Sequence, residues 1–300
     1  MSPWRERLLA RLIGVQRDDG SWAYRPGRRG AAEPTALAAL ACRGAAGMQS
    51  ACAAALGWLR SVQQSDGAVP AVAGIANTGW TTPLAAVAWM ACGETQRVRD
   101  RYDENARRAI AWLLRSGGER VTQPRAGFGH DGELVGWAWI SGTHSWVEPT
   151  AQAVLALRAA GMAGHARARE GVRLLLDRAM PQGGWNYGNN VVFGKALRPF
   201  PATTGVALTA LAGEPPEPRI AAALKFGADS LERTRAPLSL AWTAIGLRAW
   251  DTARPSIEAK LADAAGAIEG DVLPHAEALL LLAGQDARPL DFTHGGPSDE

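Results

Sequence analysis

The amino-acid sequence predicts an all-α protein, a single closed (α/α)6 toroid in which six outer helices alternate with six inner ones. Two observations carry that expectation. Six Ala/Leu-rich stretches start at or just after a proline, at Pro34, Pro83, Pro149, Pro201, Pro237 and Pro274, and most run to a glycine such as Gly44, Gly93, Gly161, Gly213 or Gly284. Between them lie six amphipathic stretches, roughly 4–16, 50–64, 104–116, 166–180, 218–233 and 255–268, with charge on one face.

Each element has a physical reason. A proline in the first helical turn loses only an N–H that has no partner there, and a glycine just past the end tolerates the left-handed cap. The six apolar stretches therefore read as short helices with sharp ends, apolar nearly all round and so interior. "ENARRAIAWLLRSG" shows the other kind: Ala106, Ile110, Leu113 and Leu114 share one side, while Arg107, Arg108 and Arg115 fall largely elsewhere. Such helices belong outside. A helical hairpin cannot bury its inner helix alone, and closing the array leaves no unpaired end. Residues 1–285 fill one such ring, and the polar segment 286–300, with its Pro and Gly, is expected to be a flexible tail.

The corners repeat too. The first outer helix ends in Gln16-Arg17-Asp18-Asp19-Gly20-Ser21-Trp22, and the second in "QQSDGAV", with Val69 where the Trp stood. A weaker "QPRAGFG" (123–129) follows the third, and "PQGGWNYG" (181–188) follows the fourth. This pattern resembles the squalene–hopene cyclase and prenyltransferase superfamily, whose QxxxGxW repeats tie outer to inner helices. Trp22 and Trp185 are accordingly expected to be corner residues, each ring stacked over a Gln amide.

Composition narrows the function. At 47% hydrophobic the chain can bury a large core, and 32 basic against 29 acidic residues leave only +3, which argues against a nucleic-acid partner. No stretch is long and apolar enough to cross a bilayer, and Arg5, Glu6, Arg7 and Arg11 break up the N-terminal segment, so a cytoplasmic protein is expected. Cys42, Cys52 and Cys92 lack any paired spacing and read as small apolar residues rather than a disulfide or zinc framework. Neither a metal nor a cofactor is implied. Twelve Trp beside three Tyr is the unusual feature.

The longest connections lead into the second, third and fourth inner helices. "GHDGELVGWAWISGTHSWVE" (129–148) and "NYGNNVVFGKALRPF" (186–200) are the richest of them, and long ordered loops usually carry function. They supply the candidate substrate-binding residues Trp137, Trp139, Trp146, Tyr187, Asn189, Lys195 and Arg198, with Trp80 in the loop before them and Trp242 on the fifth inner helix. Aromatic faces stabilise a carbocation by roughly 0.5 to 2 kcal/mol each. They also pack on hydrocarbon or sugar, or simply plug the opening. Lys195 and Arg198 are candidates to receive an anionic head group.

The resemblance implies an isoprenoid ligand and, for class II cyclases, a DxDD motif directly before "TA" whose central Asp protonates an alkene or epoxide. Trp146-Val147-Glu148-Pro149-Thr150-Ala151 puts Glu148 at that position, with the flanking acids replaced by Trp146 and Pro149. Glu148 is the candidate catalytic acid, with His144 as its candidate helper from the loop. The competing structural reading is that Glu33-Pro34-Thr35-Ala36 repeats the tetrapeptide, so that the Glu serves the unpaired N–H groups at a helix start. The zinc sites of protein prenyltransferases and lanthionine cyclases are missing, since no Cys follows an Asp by two or precedes a His. "ACGETQ" (91–96) departs from a thioester motif by Thr95, and Asp18-Asp19 sits in a corner rather than on a magnesium-binding helix face.

The leading expectation is therefore a terpene cyclase-like or prenyltransferase-like protein handling an isoprenoid, with a second subunit as a candidate to complete the cavity and peripheral membrane contact through "WRERLLARLIGVQ". The alternatives are a carbohydrate-active α/α toroid, either lyase or hydrolase, and a non-catalytic toroid that binds a lipid or a protein.

Overall fold

The computed structural model describes residues 2–75, 78–92, 96–122, 129–252, 255–268, 270–285 and 290; of 96–99 it describes the backbone alone. The described residues are mostly helical. In chain order the helices are α1 (Pro3–Gly14), α2 (Ala32–Cys42), α3 (Gln49–Val62), α4 (Thr82–Ala91), α5 (Gln96–Arg115), α6 (Val147–Ala159), α7 (Ala166–Arg178), α8 (Pro201–Leu211), α9 (Pro218–Arg233), α10 (Pro237–Ala249), α11 (Ser256–Ala267) and α12 (Pro274–Gly284). A small antiparallel hairpin pairs β1 (Val191–Val192) with β2 (Lys195–Ala196). The expected corner at 123–129, the glycine end at Gly93 and the tail 286–300 lie almost wholly outside the described residues.

The chain divides into two compact units, residues 1–115 with 258–289, and residues 116–257 with 290–300. In the first, α2 packs against α12, α4 and α3, while α1 lies on α12 and α5 on α4. In the second, α8 packs against α6 and α10, and α7 and α9 cover this row. Within each unit the even-numbered helices are the apolar ones: every residue of α2 is buried except Glu33, and α12 is buried from Ala276 to Gly284. Alanine and glycine let these backbones approach closely. At the α8–α10 crossing, a Cβ on Gly205 would collide with the Trp242 carbonyl, and one on Gly246 with that of Gly205.

A recurring joint links each corner to the helix it feeds. The N–H groups of Trp22, Val69, Trp137 and Trp185 donate to the Oγ1 atoms of Thr35, Thr82, Thr150 and Thr204 at 2.9–3.0 Å. Those threonines stand in the first turn of α2, α4, α6 and α8 or at its edge. The Trp22 and Trp185 indoles are fully buried and donate to Leu12 O and Leu175 O, ten residues back on the preceding outer helix. The glutamine amides are held by hydrogen bonds. The Gln16 amide donates to Gly20 O and Ala51 O, and that of Gln63 to Gly67 O and Asn105 O, so each ties its own corner to the following outer helix. Gly20, Gly67 and Gly183 take positive φ where a Cβ would strike a backbone carbonyl of that helix, and only glycine meets both demands.

Ion pairs bind α1 within the first unit. Trp4 Nε1 and Arg5 Nη2 donate to Glu258 at 2.9 and 2.6 Å, and Arg11 pairs with the fully buried Glu277 at 2.9 Å. The three cysteines form no disulfide and are buried in the same unit, with the Cys52 and Cys92 sulfurs 3.7 and 3.6 Å from Ala39 O.

Candidate functional site

The two long segments singled out by the sequence meet in the second unit through backbone hydrogen bonds. Trp146 N donates to Trp137 O at 2.9 Å, which sets Trp146 at the N-cap of α6. Val147 N donates to Tyr187 O at 2.9 Å, and Phe200 N, at the N-cap of α8, to Trp185 O at 2.7 Å. These bonds satisfy groups that helix starts otherwise leave unpaired. They also bring Trp146, Tyr187 and Phe200 to the starts of two neighbouring helices. The Tyr187 and Phe200 rings stack tilted at 5.1 Å, and the Trp146 ring lies 4.4 Å from the His144 imidazole. Trp146, Tyr187 and Phe200, with Asn189, Leu197 and Arg198, line a pocket of about 250 Å³.

Glu148 stands in the first turn of α6, half-buried, and its Oε1 accepts a hydrogen bond of 2.7 Å from the buried Thr203 hydroxyl in the first turn of α8. Beneath the pocket lies a buried cation. Arg178, 3% exposed, donates from Nη1 to Gly188 O at 3.0 Å and to Ser145 O at 3.5 Å, and Gly188 is part of the pocket wall. Burial holds its guanidinium down to about 10, against the pull of Asp177 and Asp131. Burial and the Arg178 charge together lower the His144 imidazole, which favours its neutral form.

The structure thus brings Glu148, Trp146, Tyr187, Asn189 and Arg198 to the starts of α6 and α8, with His144 against Trp146. It sets Trp137 apart from them: that residue is 3% exposed and holds the same threonine bond as Trp22 and Trp185, with the Arg167 guanidinium 4.3 Å from its ring. Trp139 is half-buried in the same loop. Lys195 is exposed on β2 opposite Val192, beside a turn whose tip residue, Phe193, is 98% exposed. Trp242 is 6% exposed within α10. Trp80, half-buried in a 3-10 turn (Gly79–Thr81), belongs to the first unit.

Sequence reasoning missed a second cluster, in the first unit. Tyr24 Oη donates to Glu33 Oε2 at 2.5 Å, and His275 Nε2 lies 3.4 Å from Glu33 Oε1. The Tyr24 and His275 rings meet edge to face at 5.5 Å. Glu33 opens α2 and His275 opens α12, so the cluster stands at two neighbouring helix starts, as Glu148 and Thr203 do in the second unit. Burial raises the Glu33 carboxyl, but the neighbouring His275 and the hydrogen bond from Tyr24 outweigh it and leave the group lower than usual. The repeated Glu-Pro-Thr-Ala tetrapeptide was the available signal; the distant His275 gave none. Among the described residues no group of three or more His, Cys, Asp and Glu is arranged to hold a metal ion, and no helix is long and apolar enough to cross a membrane.

Comparison with known proteins gives the fold. No protein-family model matches the chain, and no curated protein matches it. Solved structures do, and they define a terpene cyclase-like fold. A protein from Actinoplanes matches 93% of this chain and 98% of its own, with a TM-score of 0.57 and 18% identity. The type II terpene cyclase MstE from Scytonema matches as a variant in complex with its substrate, geranylgeranyl dihydroxybenzoate, over 91% of this chain and 79% of its own (TM-score 0.56, 17% identity). Another MstE variant, in complex with the product merosterolic acid A, matches over 91% and 80% (TM-score 0.55, 16% identity).

Proposed function

We propose that this chain is a terpene cyclase-like protein that binds an isoprenoid at the starts of α6 and α8, with Glu148 as the acid that initiates cyclisation. The observation that carries the reading is that Glu148, bonded by Thr203, stands in the first turn of α6, the helix whose N-cap residue Trp146 lines one pocket with Tyr187 and with Phe200, the N-cap residue of α8. Protonation of an alkene leaves a carbocation, which aromatic faces stabilise, and a carboxylate, which a hydroxyl donor stabilises. The isoprenoid ligands of MstE agree with this choice of substrate. The finer parts of the proposal are one closed (α/α)6 toroid over residues 1–285 with 286–300 as a tail, corner repeats of the squalene–hopene cyclase type, a cytoplasmic location with peripheral membrane contact, and a second subunit completing the cavity. The alternation of apolar and covering helices within each unit supports the toroid.

A specific observation favours a second assignment of the acid within this reading. Glu33 has two partners, Tyr24 and His275, that hold its deprotonated form, and a strong acid requires such partners.

The test is incubation of the purified protein with squalene, farnesyl diphosphate and geranylgeranyl diphosphate, with product analysis, for the native chain, Glu148→Gln and Glu33→Gln. A cyclised product that Glu148→Gln reduces by about 10²–10⁴-fold establishes a cyclase with Glu148 as its acid. A product lost only in Glu33→Gln moves the acid to Glu33. Absence of both binding and product with all three substrates sinks the isoprenoid reading.

A further inference from the structure

We propose that the side-chain amide of Gln152 is a further ligand-binding group of the α6 site, and that its carbonyl oxygen accepts a hydrogen bond from a hydroxyl of the bound molecule. This rests on the isoprenoid reading and adds to it a second contact, one helical turn further along α6 than Glu148.

The corner threonines supply the first observation. Thr35, Thr82, Thr150 and Thr204 hold the same bond at the starts of α2, α4, α6 and α8, which sets the four helices in a common register. Two residues beyond them stand Leu37, Leu84, Gln152 and Val206, all buried. Three of the four are apolar, as a core position favours. The shared Glu-Pro-Thr-Ala tetrapeptide runs on into Leu37 in α2 and into Gln152 in α6.

The second observation is that the amide is unsatisfied. Gln152 is 4% exposed, its Oε1 is buried without a hydrogen bond, and its side chain makes none among the described residues. Arg178 and Asn190 also leave one buried atom each unpaired, but another bond anchors each of those side chains. A buried amide without partners lowers stability, and a leucine in its place would not. Such a group calls for a partner from outside the chain.

The third observation is direction. Thr150 and Val154 face Gly171 of α7, so the covering helix closes that side of α6. Residues two apart on a helix point about 200° away from each other. Gln152 therefore lies on the other side, which it shares with Glu148 four residues earlier, and about 6 Å further along the axis. Thr203 of α8 reaches this same side to bond Glu148. The amide is neutral, so it sets no charge beside Glu148 and leaves the aromatic faces the role given them above. Its unbonded oxygen asks for a donor, and the donor of an uncharged isoprenoid is a hydroxyl. A site built to bond a hydroxyl discriminates against an analogue that lacks it, because the protein's own polar group is then left unpaired.

The experiment reads two quantities that a structural role would not move in this way. Gln152→Leu gives α6 the residue found at 37 and 84, and Gln152→Met keeps the length of the side chain. The unliganded variants are expected to melt about 2–5 °C above the native chain, because an unsatisfied amide is gone. Calorimetric titration of the native chain is expected to show farnesol bound at least tenfold more tightly than farnesyl methyl ether, which keeps the chain and the oxygen but has no O–H. In the variants the two are expected to bind alike. If neither variant melts higher, the amide has a partner within the fold, a buried water included, and the inference is overturned. Equal binding of alcohol and ether by the native chain overturns it too, as does a preference that survives both substitutions, and each of these leaves the isoprenoid reading in place. If neither probe binds the native chain, the isoprenoid reading fails and this inference fails with it.

Discussion

Glu33 and Glu148 occupy the same tetrapeptide, yet their surroundings give them different chemistry. A carboxylate at a helix start is stabilised by unpaired N–H groups in either case, and what separates the two is their partners from distant parts of the chain. Glu33 gains a tyrosine hydroxyl and a histidine, and Glu148 gains Thr203. This sets a pH dependence with a definite sign. The folded-state pKa of Glu33 lies below its ordinary value, so the unfolded chain binds the proton more readily. The stability that Glu33 contributes is therefore complete above the ordinary carboxylate range, roughly pH 4, and is lost as pH falls through the depressed folded value. Thermal unfolding followed from pH 7 to pH 3 is expected to show Glu33→Gln less stable by about 1–3 kcal/mol at pH 7, because bonds to a buried charge are lost. The gap is expected to narrow on acidification, and a gap that widens would refute the assignment. Tyr24 shows the reverse side of the same contact: burial, then the Glu33 charge, pushes its phenol well above the usual range.

The corner is the unit from which the connections between helices are built. One threonine hydroxyl receives an N–H from the residue that ends the turn, and a buried indole closes the preceding outer helix where a Trp is present. A glycine lets the turn press on the next outer helix. Val69 shows that the indole is dispensable while the threonine bond is kept, since Thr82 still receives the Val69 N–H. The glycine is not dispensable. Gly67→Ala is expected to cost about 2–4 kcal/mol, combining the strain of a left-handed backbone with overpacking against the Arg108 carbonyl. Chemical denaturation reads this directly. Gly74→Ala provides the control, because Gly74 shares the positive φ but has open space around the added carbon. The smaller loss expected there isolates the packing part from the strain part.

Taken across all 300 residues, the charge is nearly balanced, and that has a measurable consequence. With a net +3, and with basic residues such as Arg5, Arg11, Arg107 and Arg169 engaged in ion pairs, no continuous cationic surface is expected to capture a phosphate backbone. Fluorescence anisotropy with duplex DNA is expected to show no binding at micromolar protein and about 0.15 M salt, where non-specific binders typically reach 10⁻⁴–10⁻⁶ M. The similarity to terpene cyclases spans most of the chain at below one residue in five, so it describes how the chain folds. Any chemistry has to be argued from this chain's own residues.

Helix positions were legible in the sequence, because first-turn prolines, glycine ends and apolar periodicity act within a few residues. The prolines at 34, 83, 149, 201, 237 and 274 all fall in the first turn of α2, α4, α6, α8, α10 and α12. The glycine at the Gln16 corner was equally readable, as were four of the residues now around the pocket, Trp146, Tyr187, Asn189 and Arg198. Other roles were not. Trp137 resembled its aromatic neighbours until Thr150, thirteen residues later, proved to be its partner. Phe200 fell within the loop 186–200 and Arg178 within the amphipathic stretch 166–180, and nothing in the sequence singled out His275. The physical reason is the range of the forces. Dihedral preference and helix periodicity are local and are written in adjacent letters, while a hydrogen bond, a buried charge or a pocket wall depends on which distant helices the packing brings together.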